Sequence, residues 1–265
     1  MIFNEPTGYE DEPRELFEEL PAELYSCLYH HERLNQDLAA EIDYYSGHLG
    51  DRCNRIVELG CGTCLLSSSL EQRGYALTGV DIDRTMLKNA VPLTDGRLAQ
   101  MDMSALALRP VFEAALLAQN TLNLLIDEQS IRHCLKGIRN ILVPPGLIMA
   151  HLHCSEQVNA CPDDRLLQFV MFDHPDGGTV IKETIRSLDA EQHVITLEQR
   201  YKIRRFSNAL PDKNYRISQS LAALSREHWV EIFKSSGFII ESVSSDFSDD
   251  SRTKGAALHL VGRLS

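Results

Sequence analysis

The sequence predicts an α/β fold: a doubly wound, mostly parallel sheet with helices on both faces and an antiparallel last strand. Three observations predict it. Short apolar runs alternate with helical stretches from residue 56 onward, the rhythm of βαβ units. The first run, Ile56-Val57-Glu58-Leu59, enters the glycine-bearing turn Gly60-Cys61-Gly62-Thr63-Cys64, and the second ends on an acid in Val80-Asp81-Ile82-Asp83. Asp81 follows those glycines by roughly 20 residues, the spacing at which a nucleotide-binding βαβ unit presents a carboxylate to ribose hydroxyls.

The elements follow in order. Residues 1–20 are acidic, with Glu10, Asp11, Glu12, Glu15, Glu18 and Glu19 close together, and are expected to form a solvated arm. Residues 21–50 read as helical, with Leu24, Leu28, Leu34, Leu38 and Ile42 at apolar spacing and Tyr25, Tyr29, His30 and His31 beside them. Strands are expected at 56–59, 76–80, 97–101, 112–118 and 147–152, and helices at 65–72 and 85–90 between them. A further helix carries Ile131, Cys134, Leu135, Ile138 and Leu142 on one stripe and stops at Pro144-Pro145-Gly146. Alternating residues at 179–188 and 193–206 predict a β-hairpin, an insertion at about 175–215 in a main domain spanning 51–265. A last helix starts at Ser225 and ends at Gly237, and 238–243 and 256–261 close the sheet as an antiparallel edge pair.

Composition narrows the function. At 265 residues and 43% hydrophobic, the chain suits one α/β domain with room for an insertion. A net charge of −12 repels phosphate backbones and anionic membranes, so no nucleic acid and no membrane are expected as partners. Seven cysteines without a framework spacing, and no signal peptide or membrane-length apolar run, point to the cytoplasm.

The string Glu58-Leu59-Gly60-Cys61-Gly62-Thr63 lacks the third glycine of dinucleotide sites. It resembles motif I of the class I S-adenosylmethionine-dependent methyltransferases, and the resemblance extends over about residues 20–263, strongest at 56–103. It implies a Rossmann-like fold, S-adenosyl-L-methionine as cofactor, a small-molecule acceptor, and residues 21–50 as a lid. Under that resemblance Gly60, Cys61 and Gly62 let the backbone approach the methionine end, because a Cβ at the glycines would collide with it. Glu58 orients the methionine ammonium, and Asp81, with Ile82 after it, accepts from the ribose. Asp102 takes the adenine amino group and the Met103 N–H a ring nitrogen. Tyr25 and Tyr29 touch the methionine end or the acceptor, and Asn120 lies near the transferring methyl. Asn123, one helical turn on, faces the same pocket. His151 and His153, at the carboxyl end of the fifth strand, offer a base if the acceptor arrives protonated.

Cys64 departs from the family, whose members usually carry glycine there. Cysteine is strained if that position needs a positive φ; otherwise its thiol narrows the pocket. The Cys61-x-x-Cys64 spacing has no second pair to complete a zinc site, so no metal is expected. Two other readings share the same motifs. One is intramolecular cyclisation of the azetidine-2-carboxylate synthase type, which releases methylthioadenosine; the other is a non-catalytic cofactor-binding module.

Overall fold

The computed structural model describes residues 16–34, 36, 38–156, 165–205, 211–245 and 258–265, without the side chains of residues 52 and 165–167. The chain opens with β1 (Glu18–Glu19), α1 (Ala22–Leu34) and α2 (Ala39–Leu49). The βαβ series then runs β2 (Arg55–Leu59), α3 (Leu65–Glu71), β3 (Ala76–Asp81), α4 (Arg84–Ala90), β4 (Arg97–Gln100), β5 (Phe112–Leu117), α5 (Glu128–Ile141) and β6 (Leu142–Leu152). Four more strands follow, β7 (Arg165–Asp173), β8 (Thr179–Asp189), β9 (Val194–Arg204) and β10 (Lys213–Ala222), before α6 (Arg226–Ser235), β11 (Phe238–Ser244) and β12 (Leu258–Leu264).

The main sheet has the order β11-β12-β6-β5-β2-β3-β4, with β6, β5, β2, β3 and β4 parallel. Its central strands are buried on both faces, so they read as continuous apolar runs. In β2, Ile56 packs with Leu66, Leu70, Tyr45 and Leu49 on the α2–α3 side. Val57 and Leu59 point the other way, into the core with Ile131, Leu135, Ile138 and Trp229. Caps set the helix starts: Asp127 accepts from Ser130 N at the head of α5, and Ser225 from His228 N at the head of α6. β12 is antiparallel to β6 and β11 alike and lies between them, so β11 is the edge strand.

Two expectations change. The inserted hairpin is half of a larger unit: β8 and β9 are flanked by β7 and β10 in a second sheet of order β1-β10-β9-β8-β7. The tail end of the acidic arm is part of it, since Glu18 and Glu19 pair in parallel with Tyr215 and Arg216 and Leu20 is buried. A strand pairing and one apolar anchor outweigh the solvation of two acids whose side chains stay exposed. Residues 1–15 of the expected arm lie outside the described residues. No helix among the described residues is long and apolar enough to cross a membrane.

Candidate active site

The glycine turn leaves β2 and folds back on β3, with Gly60 N and Cys61 N both donating to Val80 O at 2.7 and 3.0 Å. Gly60 has φ +67°, and a Cβ on it would sit 2.1 Å from Thr121 Cγ2. Both the positive φ and the contact with Thr121 therefore demand glycine there. Gly62, at φ +54°, has only Tyr29 Cε1 nearby, 3.6 Å from the position of a Cβ. Cys64 is left-handed at φ 59°, ψ 31°, and its side chain is fully buried beside Cys61 against Leu87 and Ala90. Gly79 on β3 makes room for both thiols, for a Cβ there would meet the two Sγ atoms at 2.8 and 3.1 Å. The strain alternative therefore holds: a non-glycine residue in this region costs about 1–2 kcal/mol, and the thiol is below the loop, not in a pocket.

Asp81 ends β3 and ties the turn to the acid. Its Oδ2 accepts from Gly62 N and its Oδ1 from Asp83 N, each at 2.8 Å, and each oxygen keeps a lone pair. Burial, outweighing these bonds, raises its pKa above the usual carboxylate value. Ile82 beside it is 65% exposed on the rim. Asp102 and Met103 stand at the adjoining strand end, where Met101 N reaches Asp81 O. Asp102 Oδ1 accepts from Ser104 N and Ser104 Oγ at 2.7 and 2.8 Å, and neither Asp102 nor Met103 lines the cleft.

The cleft, about 360 Å³, opens over this turn at the carboxyl ends of the strands. α1 lies across it: Tyr29 covers Gly62, His30 Nδ1 meets Thr63 Oγ1 at 3.1 Å, and Asn89 of α4 donates to Ser26. Tyr25 and Tyr29 both line the cleft, and burial raises the pKa of both phenols. After β5, Gln119 and Asn120 take positive φ in succession, 52° and 60°, the local strain that functional sites hold. Asn120 lines the cleft, and its Oδ1 is buried with no hydrogen-bond partner among the described residues.

Two further polar candidates, Asn123 and His151, lie elsewhere. Asn123 is fully buried, its Nδ2 donating to His153 O and Ala222 O at 2.9 and 2.7 Å, its Oδ1 accepting from His153 N at 3.1 Å. It is a clamp behind the cleft, joining the chain after β6 to the end of β10. His151 stacks on His259 at 4.4 Å across the β6–β12 pair, and burial lowers its pKa well below the usual value. It lies within β6, paired with β12, whereas the strand ends at Leu152 and leaves His153 beyond that pairing. His153 does line the cleft, and its carbonyl is held by both Asn123 and Trp229 Nε1, the latter at 3.0 Å.

Several residues that line the cleft and its neighbouring recess carry no signal in the sequence. Arg33 pairs with Glu41 at 2.5 Å, both buried, and Gln119 Nε2 donates to Glu41 at 2.8 Å. Arg33, Tyr29, Glu58, Gly60 and Cys61 bound a recess of about 20 Å³ beside the main cleft, enough for one water-sized group. Glu58 faces it, hydrogen-bonded by Ser67, with burial pushing its carboxyl up to about 8. Glu32, Lys182, Gln199 and Gln219 also line the cleft. Charges on helices and strands read as solvated faces, and their convergence from α1, α2 and the second sheet has no local signal. These residues fit the cofactor the motif implies: a carboxylate with lone pairs to give, an orphaned amide oxygen, and a paired arginine and acids at the recess.

Residues 56–146 match the family described as methyltransferase domain. A candidate methyltransferase of Geobacillus sp. (strain WCH70) is 27% identical over 127 residues, 46% of this chain and 49% of that protein. YqeM of Bacillus subtilis (strain 168), likewise a candidate methyltransferase, is 27% identical over 109 residues, 39% and 44% of the two chains. The chain thus matches about half the length of these curated relatives. Among solved structures, an S-adenosylmethionine-dependent methyltransferase from Clostridium acetobutylicum ATCC 824 is similar with TM-score 0.76 at 16% identity, over 91% of this chain and 99% of that one. The cofactor-bound amino pentose methyltransferase CalS10 from Micromonospora echinaspora aligns with TM-score 0.73 at 18% identity, over 96% and 100%. The sugar N-methyltransferase KedS8 from Streptoalloteichus sp. ATCC 53650 aligns with TM-score 0.74 at 18% identity, over 100% and 98%.

Proposed function

We propose that this chain, which belongs to the class I S-adenosylmethionine-dependent methyltransferases, passes the cofactor's methyl group to a small-molecule acceptor seated beneath the second sheet. The observation that carries the reading is the continuity of one cleft. It runs from the glycine turn and Asp81, past Tyr29 and Asn120, to a polar wall formed by Glu32, Lys182, Gln199 and Gln219. Space lined by such a wall beyond the cofactor-binding residues suits a second reactant. CalS10 and KedS8, both described as acting on sugars, share this fold and support a small-molecule acceptor.

When bound, S-adenosylmethionine supplies a methyl group activated by its sulfonium. Asp81 holds the ribose with the lone pairs its backbone bonds leave free, and charge-assisted bonds of this kind contribute about 1.5–3 kcal/mol each. Arg33 and Glu58 bind the amino-acid end from the small recess. Tyr29, over Gly62, and Asn120, with its unpartnered oxygen, orient the reacting centre and exclude water, which is where the gain in rate arises. A ring nitrogen of His153 takes the acceptor's proton, its backbone fixed by Asn123 and Trp229. The lid of residues 21–50 closes through α1. The six described cysteines are free, which suits a reducing cytoplasm, and the net charge of −12 disfavours nucleic acid as acceptor.

The test is chromatography of the purified protein with S-adenosylmethionine, with and without a fractionated pool of small-molecule acceptors, beside a heat-killed control. Cofactor alone is expected to yield no product, and an acceptor fraction to yield S-adenosylhomocysteine. Methylthioadenosine accumulating over many turnovers without acceptor would establish intramolecular cyclisation instead.

A further inference from the structure

The far wall of the cleft is built by elements outside the segment that matches the methyltransferase domain. Glu32 comes from α1, and Lys182, Gln199 and Gln219 from β8, β9 and β10. Lys182 Nζ donates to both carboxylate oxygens of Glu32, at 2.7 and 2.9 Å, with both residues buried and the ammonium 5.6 Å from the centre of the Tyr201 ring. Such a buried ion pair adds little net stability, since apolar residues of the same volume would pack α1 onto the sheet as well. Its presence in a cavity wall calls for an occupant that uses it.

The hydrogen-bonding capacity left over defines that occupant. Lys182 keeps one N–H, and Glu32 keeps lone pairs on both oxygens. Gln199 accepts from Tyr201 Oη at 3.2 Å and so presents its amide N–H groups, while Gln219 donates to Tyr25 Oη at 3.3 Å and presents its carbonyl. The wall therefore carries both donors and acceptors. Its charge is already balanced: Lys182, the cation of this wall among the described residues, is paired with the buried carboxylate of Glu32. An ionised acid only accepts, and in this wall it would compete with Glu32 for Lys182. A hydroxyl both gives and takes, and several side by side match that mixture.

We propose that the Glu32–Lys182 pair, with Gln199 and Gln219, is the acceptor-recognition wall, and that the part of the acceptor entering it is polyhydroxylated and carries no ionised acid. The inference rests on the methyltransferase reading of the same cleft. Its test uses D-glucose and D-glucuronate, probes that differ by one acid group, in saturation-transfer NMR on protein saturated with S-adenosylhomocysteine. D-Glucose is expected to bind in the millimolar range and D-glucuronate at least tenfold more weakly. The double variant Glu32→Leu/Lys182→Met, which removes both charges together, and Gln219→Leu should each weaken D-glucose at least fivefold while S-adenosylhomocysteine affinity stays within twofold. D-Glucuronate binding as well as D-glucose, D-glucose binding equally to the variants, or no sugar binding to a complex that does take S-adenosylhomocysteine would each overturn this inference alone. Failure of S-adenosylhomocysteine to bind the wild type would take down the methyltransferase reading and this inference with it.

Discussion

Replacing Asp81 by alanine probes the point where the turn and the acid meet. The substitution removes a carboxylate that accepts from Gly62 N and Asp83 N and, in the proposed complex, from the ribose. Two charge-assisted bonds at about 1.5–3 kcal/mol each set the gross loss on the cofactor side. Burial already works against the charged form of Asp81, which discounts that figure. A net loss of about 2–4 kcal/mol, or about 30- to 1000-fold in dissociation constant, is expected. The fold should survive, because both released N–H groups lie near the cleft rim within reach of water, at a cost of about 1–2 kcal/mol in total. Asp81→Asn is the sharper control: its amide keeps one acceptor oxygen, so one backbone donor remains served while the other faces an NH₂. Calorimetric titration with S-adenosylmethionine, beside thermal unfolding of the same proteins, reads both effects. A wild-type dissociation constant in Asp81→Ala, with unfolding unchanged, would remove Asp81 from the cofactor site.

Cys64→Gly relieves a left-handed cysteine but forfeits a buried thiol, and the two effects nearly cancel; stability within about 1 kcal/mol of wild type is expected, with cofactor affinity retained. A tenfold loss of affinity by calorimetry would show that the thiol holds the turn in shape. Glu58 gives a pH dependence whose sign follows from burial, which holds its carboxyl at about 8 against an ordinary 4.5. The raised value means the fold accommodates the neutral acid, so this contribution is complete below pH 4.5 and is lost as pH rises through 8. Glu58→Gln should therefore melt higher than wild type at alkaline pH and converge with it in acid; parallel melting curves would refute the assignment. Asn123→Ala removes the amide that serves His153 N and Ala222 O, while His153 O keeps Trp229 Nε1, and should cost about 2–4 kcal/mol by urea unfolding. A loss below 0.5 kcal/mol would mean that water replaces the amide there, and that Asn123 is not the clamp.

The central βαβ series was legible because each of its signals is local. Glu58 to Cys64 and Val80 to Asp83 state the turn and the acid within a few residues, and Ser225 caps its helix as expected. The second sheet was half legible. β8 and β9 alternate cleanly, whereas β7 carries the mixed run Gln168-Phe169-Val170-Met171-Phe172, and β10 is largely polar on its exposed face. One signal for β7 was available: Gly177 and Gly178, at φ +87° and +113°, mark a turn that joins it to β8. For β1 nothing announced pairing, because two glutamates gain a place in a sheet only through a strand roughly 200 residues away.

The same distinction of range divides the site. The residues proposed to hold the cofactor sit at ends of neighbouring strands, where topology alone brings Gly60, Asp81 and Asn120 to one edge of the sheet. Orientation within that edge depends on where the strand ends: His151 is still inside β6 and stacks on His259, whereas His153, beyond Leu152, lines the cleft. The acceptor side is assembled from residues 150 positions apart, Glu32 and Lys182, which meet only after α1 has crossed onto the second sheet. A charged residue buried in this way looks, in sequence, the same as one on a solvated face. Its partner decides which it is, and the partner lies in another element. The half of the site that the motif resemblance implies is thus written in motifs, and the half proposed to choose the acceptor is written in packing.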